Sequence, residues 1–273
     1  MVGDWSSDVC SSDLLARSAL ASAHENVLPL AVDLSRPLDP AALPERLDAV
    51  VWLAQSNRFR DFPEGADDMF QVNLAQLHGM LEQARRAGAR RFVYASTGSV
   101  YAPSGSPLTE DSPTGRAGEL GFYAASRLAA ELLVGSYKDV MDVSILRFFF
   151  VYGRGPKRDM LIPRLVDTVR EGKTVTLAGE AGIRINPLNA RDAAAAVEAA
   201  LSLSGVNVVN VAGPEILSIR DICDVSGKAA GVEPVYQTQP DARPQDVVAD
   251  ITRMKALLGA PAIGFREGVS DLL

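Results

Sequence analysis

Three residues of this 273-residue chain could carry proton-transfer chemistry: Thr97, Tyr123 and Arg127. Tyr123 and Arg127 stand four apart in Gly121-Phe122-Tyr123-Ala124-Ala125-Ser126-Arg127, and Leu128, Glu131 and Leu132 follow at helical spacing. Helix residues four apart share a face, so a phenol and a permanent cation point the same way. A free tyrosine titrates near ~10, and bringing it to ~7 takes roughly 4 kcal/mol of preferential stabilisation of the phenolate. A cation within reach lowers an acid's pKa by roughly 1–3. A hydroxyl such as Thr97 can hydrogen-bond a substrate oxygen and hand its proton to the phenol. The same spacing also suits a surface helix pair, with Thr97 merely ending a strand. Metal chemistry has no comparable set. His24 and His78 stand apart from Cys10 and Cys223, so no ligand cluster is visible and no disulfide framework either.

The elements that must position these side chains follow from periodicity. Phe92-Val93-Tyr94-Ala95 is an apolar run rich in strand formers that stops at Ser96-Thr97-Gly98-Ser99. A buried parallel strand delivers hydroxyls in this way to the carboxyl edge of a sheet, where open α/β folds bind ligands. Val27 to Leu34, Leu47 to Ala54, Val143 to Gly153 and Val206 to Ala212 read as further strands, that from Leu47 near-continuously apolar as a strand buried on both faces is. Asp67 to Gly88 is predicted as one long helix with Phe70, Leu74, Leu77 and Leu81 on one stripe. Met160 to Gly172, Asp192 to Leu201, a helix capped by Ser218, and a final short helix over Arg253 to Gly259 complete the set. The Pro-, Gly- and Ser-rich stretch from Tyr101 to Glu119 reads as a mobile loop over the site. Strands alternating with helices imply a doubly wound parallel sheet.

The strand-end hydroxyls and the Tyr-x-x-x-Arg segment together resemble the active site of the extended short-chain dehydrogenase/reductases, the NAD-dependent epimerase/dehydratase family. That family carries a Ser or Thr three residues before a Val-Tyr pair, then Tyr-x-x-x-Lys opening a helix. Thr97 and Tyr123 match; Arg127 stands where the family has lysine, and the exchange is not conservative. The resemblance implies a Rossmann-like fold with a smaller C-terminal substrate lobe, NAD or NADP as cofactor, and Thr97, Tyr123 and Arg127 as catalytic residues. Cofactor contacts are implied for Arg17, Asp33, Leu34, Ala54, Gln55, Asn73, Tyr123 and Arg127, and substrate contacts for Ser99, Phe150 and Arg184. Asn73 resembles an asparagine that braces the active-site strand, and Arg184 one that clamps substrate phosphates. Arg17, near the adenosine ribose, would favour NADP; it fits a surface position equally. Phe150 stands where the family has an asparagine that often contacts nucleotide-sugar, which weakens that substrate reading. Three functions follow: an epimerase, dehydratase or reductase of a sugar or nucleotide-sugar; a non-catalytic dinucleotide-binding sensor with a decayed site; or a reductase of non-nucleotide carbonyl substrates.

Composition sets the outer bounds. With 47% hydrophobic and 22% charged residues the chain is globular in character, and its formal charge of −7 argues against a nucleic-acid surface. No apolar run is long enough to span a membrane and no signal peptide is visible, so the expected setting is cytoplasmic, the partner a small-molecule substrate, and a homodimer is left open. Asp4 to Leu14 resembles the in-frame translation of a common short-read sequencing adapter. Residues 1–14 are therefore expected to be foreign, joined to a shortened gene that resumes at Leu15 near the end of a second strand. No Gly-x-x-Gly-x-x-Gly turn occurs anywhere, so the fold is expected to lack its first strand and glycine loop. Residues 15–155, continued by about 190–212, are assigned to the NAD(P)-binding domain. Residues 156–189 and 213–273 are assigned to the substrate lobe.

Overall fold

Four parallel strands with helices on both faces hold the centre of the molecule. The computed structural model describes residues 12–16, 27–39, 41, 43–155 and 158–273; Cys10, Arg17 and His24, with the expectation placed on Arg17, lie outside them. In chain order the first half contains β1 (Ser12–Ala16), β2 (Val27–Ala31), β3 (Ala49–Trp52), α1 (Ala66–Phe70), α2 (Gln76–Arg86), β4 (Arg91–Thr97) and α3 (Phe122–Gly135). The second half contains β5 (Asp142–Phe148), β6 (Val151–Tyr152), α4 (Leu161–Arg170), β7 (Thr174–Ala178), β8 (Arg184–Ile185), β9 (Leu188–Asn189) and α5 (Ala190–Ala200). It continues with β10 (Val206–Val211), β11 (Leu217–Ser218), α6 (Ile219–Ala230), β12 (Val235–Gln239), α7 (Thr252–Leu257) and α8 (Phe265–Gly268).

The central sheet runs β10-β5-β4-β3, every neighbour parallel. Side chains alternate across a strand, so β4 serves two cores. Phe92 and Tyr94 pack with Trp52, Ile145, Leu77, Leu81 and Val134 under α2 and α3. Val93 packs with Leu146, Val209, Ala196 and Met254 under α5 and α7. A third core, with Ile162, Val166, Leu177, Ile222, Phe265 and Leu272, is built by the later residues around α4 and α6. There Ser218 and Asp221 form a reciprocal capping box at the start of α6.

β1 and β2 pair in parallel as a separate two-stranded sheet, and among the described residues no strand is hydrogen-bonded to the outer edge of β3. β1 begins at Ser12, inside the stretch that its adapter-like sequence sets apart. The expected long helix is interrupted: a π-helical turn, Gln71–Ala75, separates α1 from α2. Such turns carry an extra residue per turn and are invisible to a 3.6-residue periodicity. A second short helix, α8, follows the one expected to be last.

The loop after Tyr101 is the main departure. It was expected to be mobile, and instead it is tied down along its length. Ala102 N–H donates to Pro113 O, Gly115 N–H to Val100 O, Leu108 N–H to Val248 O, and Asp250 N–H to Leu108 O, all within 2.8–2.9 Å. Leu108 is buried in a cluster with Val100, Tyr101, Phe149 and Ala249. Pro, Gly and Ser mark a loop, but backbone bonds to distant segments decide whether it moves.

Candidate active site

The site begins where β4 and β5 end side by side, with Thr97 the register partner of Phe148. β4 leaves the sheet through a short 3₁₀ turn, Gly98–Val100, capped by the Thr97 side chain. Thr97 Oγ1 accepts the Ser99 N–H at 3.2 Å and donates to Ser99 Oγ at 3.2 Å. Glycine is needed in this turn: a Cβ on Gly98 would lie 2.4–2.7 Å from the Phe149 ring.

α3 opens after the extended Gly121 and carries Tyr123, Arg127 and Glu131 at four-residue intervals. The Tyr123 hydroxyl donates to Gln55 Oε1 at 2.9 Å, and its ring lies 5.5 Å from that of Phe59. Arg127 is only 2% exposed. One terminal nitrogen donates to Ala54 O at 3.2 Å, the guanidinium lies over the Tyr94 ring at 4.7 Å, and Nε is buried without a partner. Burial pushes the Tyr94 phenol well above its ordinary pKa, and the Arg127 charge offsets part of that. Gln55, Thr97, Ser99, Tyr123, Arg127 and Phe150 all border one cavity of about 860 Å³, within the size range of small-molecule sites. No hydrogen bond joins Tyr123 to Thr97 or to Arg127.

Further along α3 lies a buried network that fixes this end. Ser96 Oγ donates to Glu131 Oε1 at 2.5 Å, and Arg147 of β5 grips the same carboxylate through Nε at 3.0 Å and a terminal nitrogen at 2.7 Å. Burial pulls the Arg147 pKa down, but the Glu131 bonds outweigh it and hold the guanidinium above its ordinary value. Arg147 also lies over the Tyr101 ring at 4.6 Å. The Tyr101 hydroxyl donates to Asn210 Oδ1 at 2.6 Å, and the Asn210 side chain donates to Leu108 O at 2.8 Å. Strand, helix and the 102–119 loop are thus one connected polar unit.

The remaining expected residues are placed less centrally. Asp33 is exposed, with Oδ1 accepting the Ser35 N–H at 3.0 Å. Leu34 packs against the core under α2 and α3, and neither residue lines the cavity. Ala54 contributes its carbonyl to Arg127. Asn73, expected to brace the active-site strand, braces something else. Its oxygen accepts the Ser56 N–H at 3.0 Å and its amide donates to Ser126 Oγ at 2.9 Å, so it ties the segment after β3 to α3. Arg184 pairs with Asp246 at 2.7 Å on an exposed surface and does not line the cavity.

Sequence reasoning missed Tyr94, Glu131, Arg147 and Asn210. Glu131 could have been found, because it continues the Tyr123–Arg127 stripe by one more step of four. The others depend on pairings between distant segments.

A family model described as the NAD dependent epimerase/dehydratase family matches residues 12–212. The chain is 29% identical over 229 residues to a UDP-glucuronate 4-epimerase of Thermodesulfobacterium geofontis, across 82% of this chain and 70% of that protein. It is 28% identical over 208 residues to an uncharacterized UDP-glucose epimerase, YtcB, of Bacillus subtilis, across 73% of this chain and 64% of that protein. Among solved structures it resembles MoeE5 in complex with UDP-glucuronic acid and NAD, with a TM-score of 0.80 and 24% identity, covering 96% of this chain and 89% of the other.

Proposed function

Given that the chain belongs to the NAD-dependent epimerase/dehydratase family, we propose that it acts with NAD on a hydroxyl-bearing carbon of a nucleotide-linked sugar, with Tyr123 as the proton-transfer group. The observation that carries this reading is the meeting of Thr97, Ser99, Tyr123 and Arg127 on one cavity at the carboxyl edge of a parallel sheet. Ligands of open α/β sheets bind at that edge. The names of the relatives point to nucleotide-linked glucose and glucuronate.

The residues present fit the nicotinamide–ribose end of such a cofactor. Arg127 offers a buried, unpartnered Nε–H beside the cavity, a donor that costs roughly 1–3 kcal/mol while unsatisfied, and Gln55 and Tyr123 offer further polar atoms there. NAD supplies the hydride acceptor when bound. The protein's own part is to orient the sugar hydroxyl and hold its proton. A substrate hydroxyl arriving at Thr97 takes the place of Ser99 Oγ as acceptor, while the Ser99 N–H continues to hold Thr97 Oγ1. Tyr123 exchanges Gln55 for the same substrate oxygen. Once Tyr123 has released its own proton to solvent, its phenolate oxygen can take the substrate proton directly, or take the Thr97 proton while Thr97 takes that of the substrate. Arg127 keeps a fixed positive charge nearby without spending its hydrogen bonds on Tyr123, because Ala54 and the Tyr94 ring hold it.

The test is spectroscopic. The full chain mixed with NAD and either UDP-glucose or UDP-glucuronate is expected to develop reduced-nicotinamide absorbance in at least one mixture. Absence of that signal with both sugars, and of any heat of binding for them, would remove this reading.

A further inference from the structure

Arg127 is a charge that the fold has to accommodate. It is 2% exposed, and a buried charge is costly unless it is paired and hydrogen-bonded. Among the described residues no salt bridge reaches it. Glu131, one turn further along α3, is taken by Arg147 at 2.7 Å and by Ser96. One bond to Ala54 O leaves Nε without a partner. What lies against the guanidinium is the Tyr94 ring, at 4.7 Å. A cation over an aromatic face gains most where water is excluded.

Tyr94 is firmly set. It is fully buried, its register partners are Trp52 of β3 and Ile145 of β5, and it packs with Leu77, Leu81 and Val134. It stands three residues before Thr97 on the same strand, yet it does not line the cavity. Its hydroxyl is buried with no partner, a state that costs stability and that a phenylalanine would avoid. The ring is therefore the part of this side chain that the site uses. Its face suits arginine in particular: a guanidinium is planar, weakly hydrated and stacks flat, whereas an ammonium is a compact, strongly hydrated point charge. That accounts for an arginine where the resembled family has lysine.

We propose that Tyr94 is a positioning residue: its ring stands where a carboxylate would otherwise be needed and fixes the plane of Arg127 against the cavity that Tyr123 also borders. A carboxylate in that place would neutralise the cation. A ring holds it and leaves its charge to act on the proton-transfer site, where a fixed charge in a water-poor setting is most effective. The functional part of this proposal rests on the Tyr123 reading above; the pairing of Tyr94 with Arg127 does not.

The experiment joins a denaturation cycle to kinetics, both on the full chain. Midpoints are measured for the parent, Tyr94→Leu, Arg127→Met and the double variant; methionine keeps an unbranched side chain without the charge. Tyr94→Leu is expected to lower the midpoint about twice as far in the parent as in the Arg127→Met background. Equal shifts, the result for a tyrosine that only fills the core, overturn the pairing. Formation of reduced nicotinamide is then followed with NAD and UDP-glucose or UDP-glucuronate. Tyr94→Leu is expected to slow it by about tenfold or more with the sugar KM within about threefold, because Tyr94 does not touch the cavity and acts through Arg127. Tyr94→Phe keeps the ring and is expected to stay within about twofold of the parent in rate, with a midpoint no lower. A loss in Tyr94→Phe as large as in Tyr94→Leu, or one confined to KM, overturns the positioning role. A parent that forms no reduced nicotinamide with either sugar counts against the nucleotide-sugar reading instead, and the midpoint cycle still decides the pairing.

Discussion

The two sides of β4 in the central sheet are built differently. On the β5 side, β4 is joined to its neighbour by Ser96, Glu131 and Arg147, and beyond them to Tyr101, Asn210 and the 102–119 loop. On the β3 side, among the described residues, the sheet stops. Val51 of β3 is the register partner of Val93 of β4, yet Val51 is 38% exposed and Val93 1%. Leu53, just past the end of β3, is 58% exposed. Natural sheets blunt such an edge with charge, proline or bulges, and Ala49-Val50-Val51-Trp52 has none of these. The contrast teaches that β4 is buttressed on its β5 side by one connected polar network, while among the described residues its β3 neighbour has an exposed outer edge. Removing a support on the first side should cost much, and changing the second side should cost little.

The largest effect is expected from Glu131→Gln. It leaves Arg147 buried without its counter-charge, and breaking a buried pair costs about 3–5 kcal/mol. A denaturation midpoint close to the parent's would show that the network is ornamental to stability. Next comes the matched pair. Val93→Thr places a hydroxyl in a dry core and should cost roughly 1–3 kcal/mol, whereas Val51→Thr should stay within about 0.5 kcal/mol. Equal losses would erase the distinction between the two sides. Arg127→Lys is smaller again. It gives up the flat stacking on Tyr94 and the fork that reaches Ala54, at roughly 0.5–2 kcal/mol of thermal stability; an unchanged melt would mean the stack holds nothing.

The smallest effect concerns pH. Glu82 is held at about 2, against 4.5 for the free group, by hydrogen bonds from Arg85 first and Tyr137 second. Asp246, Asp250 and Asp271 are also held low: for Asp246 the Arg184 bonds outweigh burial, for Asp250 the Thr252 bonds lead, and for Asp271 the Asn189 bond leads. A group whose folded pKa is depressed stabilises the fold above its unfolded pKa and ceases to as pH falls through the folded value. Stability should therefore be flat above the usual carboxylate range and decline on acidification from there toward about pH 2. A chain that gains stability over that interval would contradict these assignments.

Much of this was readable in the residues, and the unread parts share a cause. The buried strand Arg91–Thr97 and the helix from Phe122 announce themselves through local pattern, and with them Thr97, Tyr123 and Arg127. Positive φ at Phe150, +44°, showed only as a phenylalanine in an asparagine's place. The partner of Arg184, Asp246, lies 62 residues away, the partner of Tyr101, Asn210, lies 109 away, and no periodicity reports such pairings. The 102–119 loop was misread for the same reason: its composition is that of a mobile segment, and its anchors are in other parts of the chain. The π turn that directs Asn73 toward Ser56 and Ser126 breaks the very repeat by which helices are recognised.

The most direct measurement is turnover of NAD with the better-bound nucleotide-sugar, compared between the full chain and Tyr123→Phe. That substitution deletes one oxygen from the cavity and leaves the ring against Phe59. The account predicts a fall of about 10²–10⁴-fold, the range typical of losing a general acid–base group, with cofactor binding retained. Turnover within a few-fold of the parent would contradict it and would move the proton-transfer role away from Tyr123.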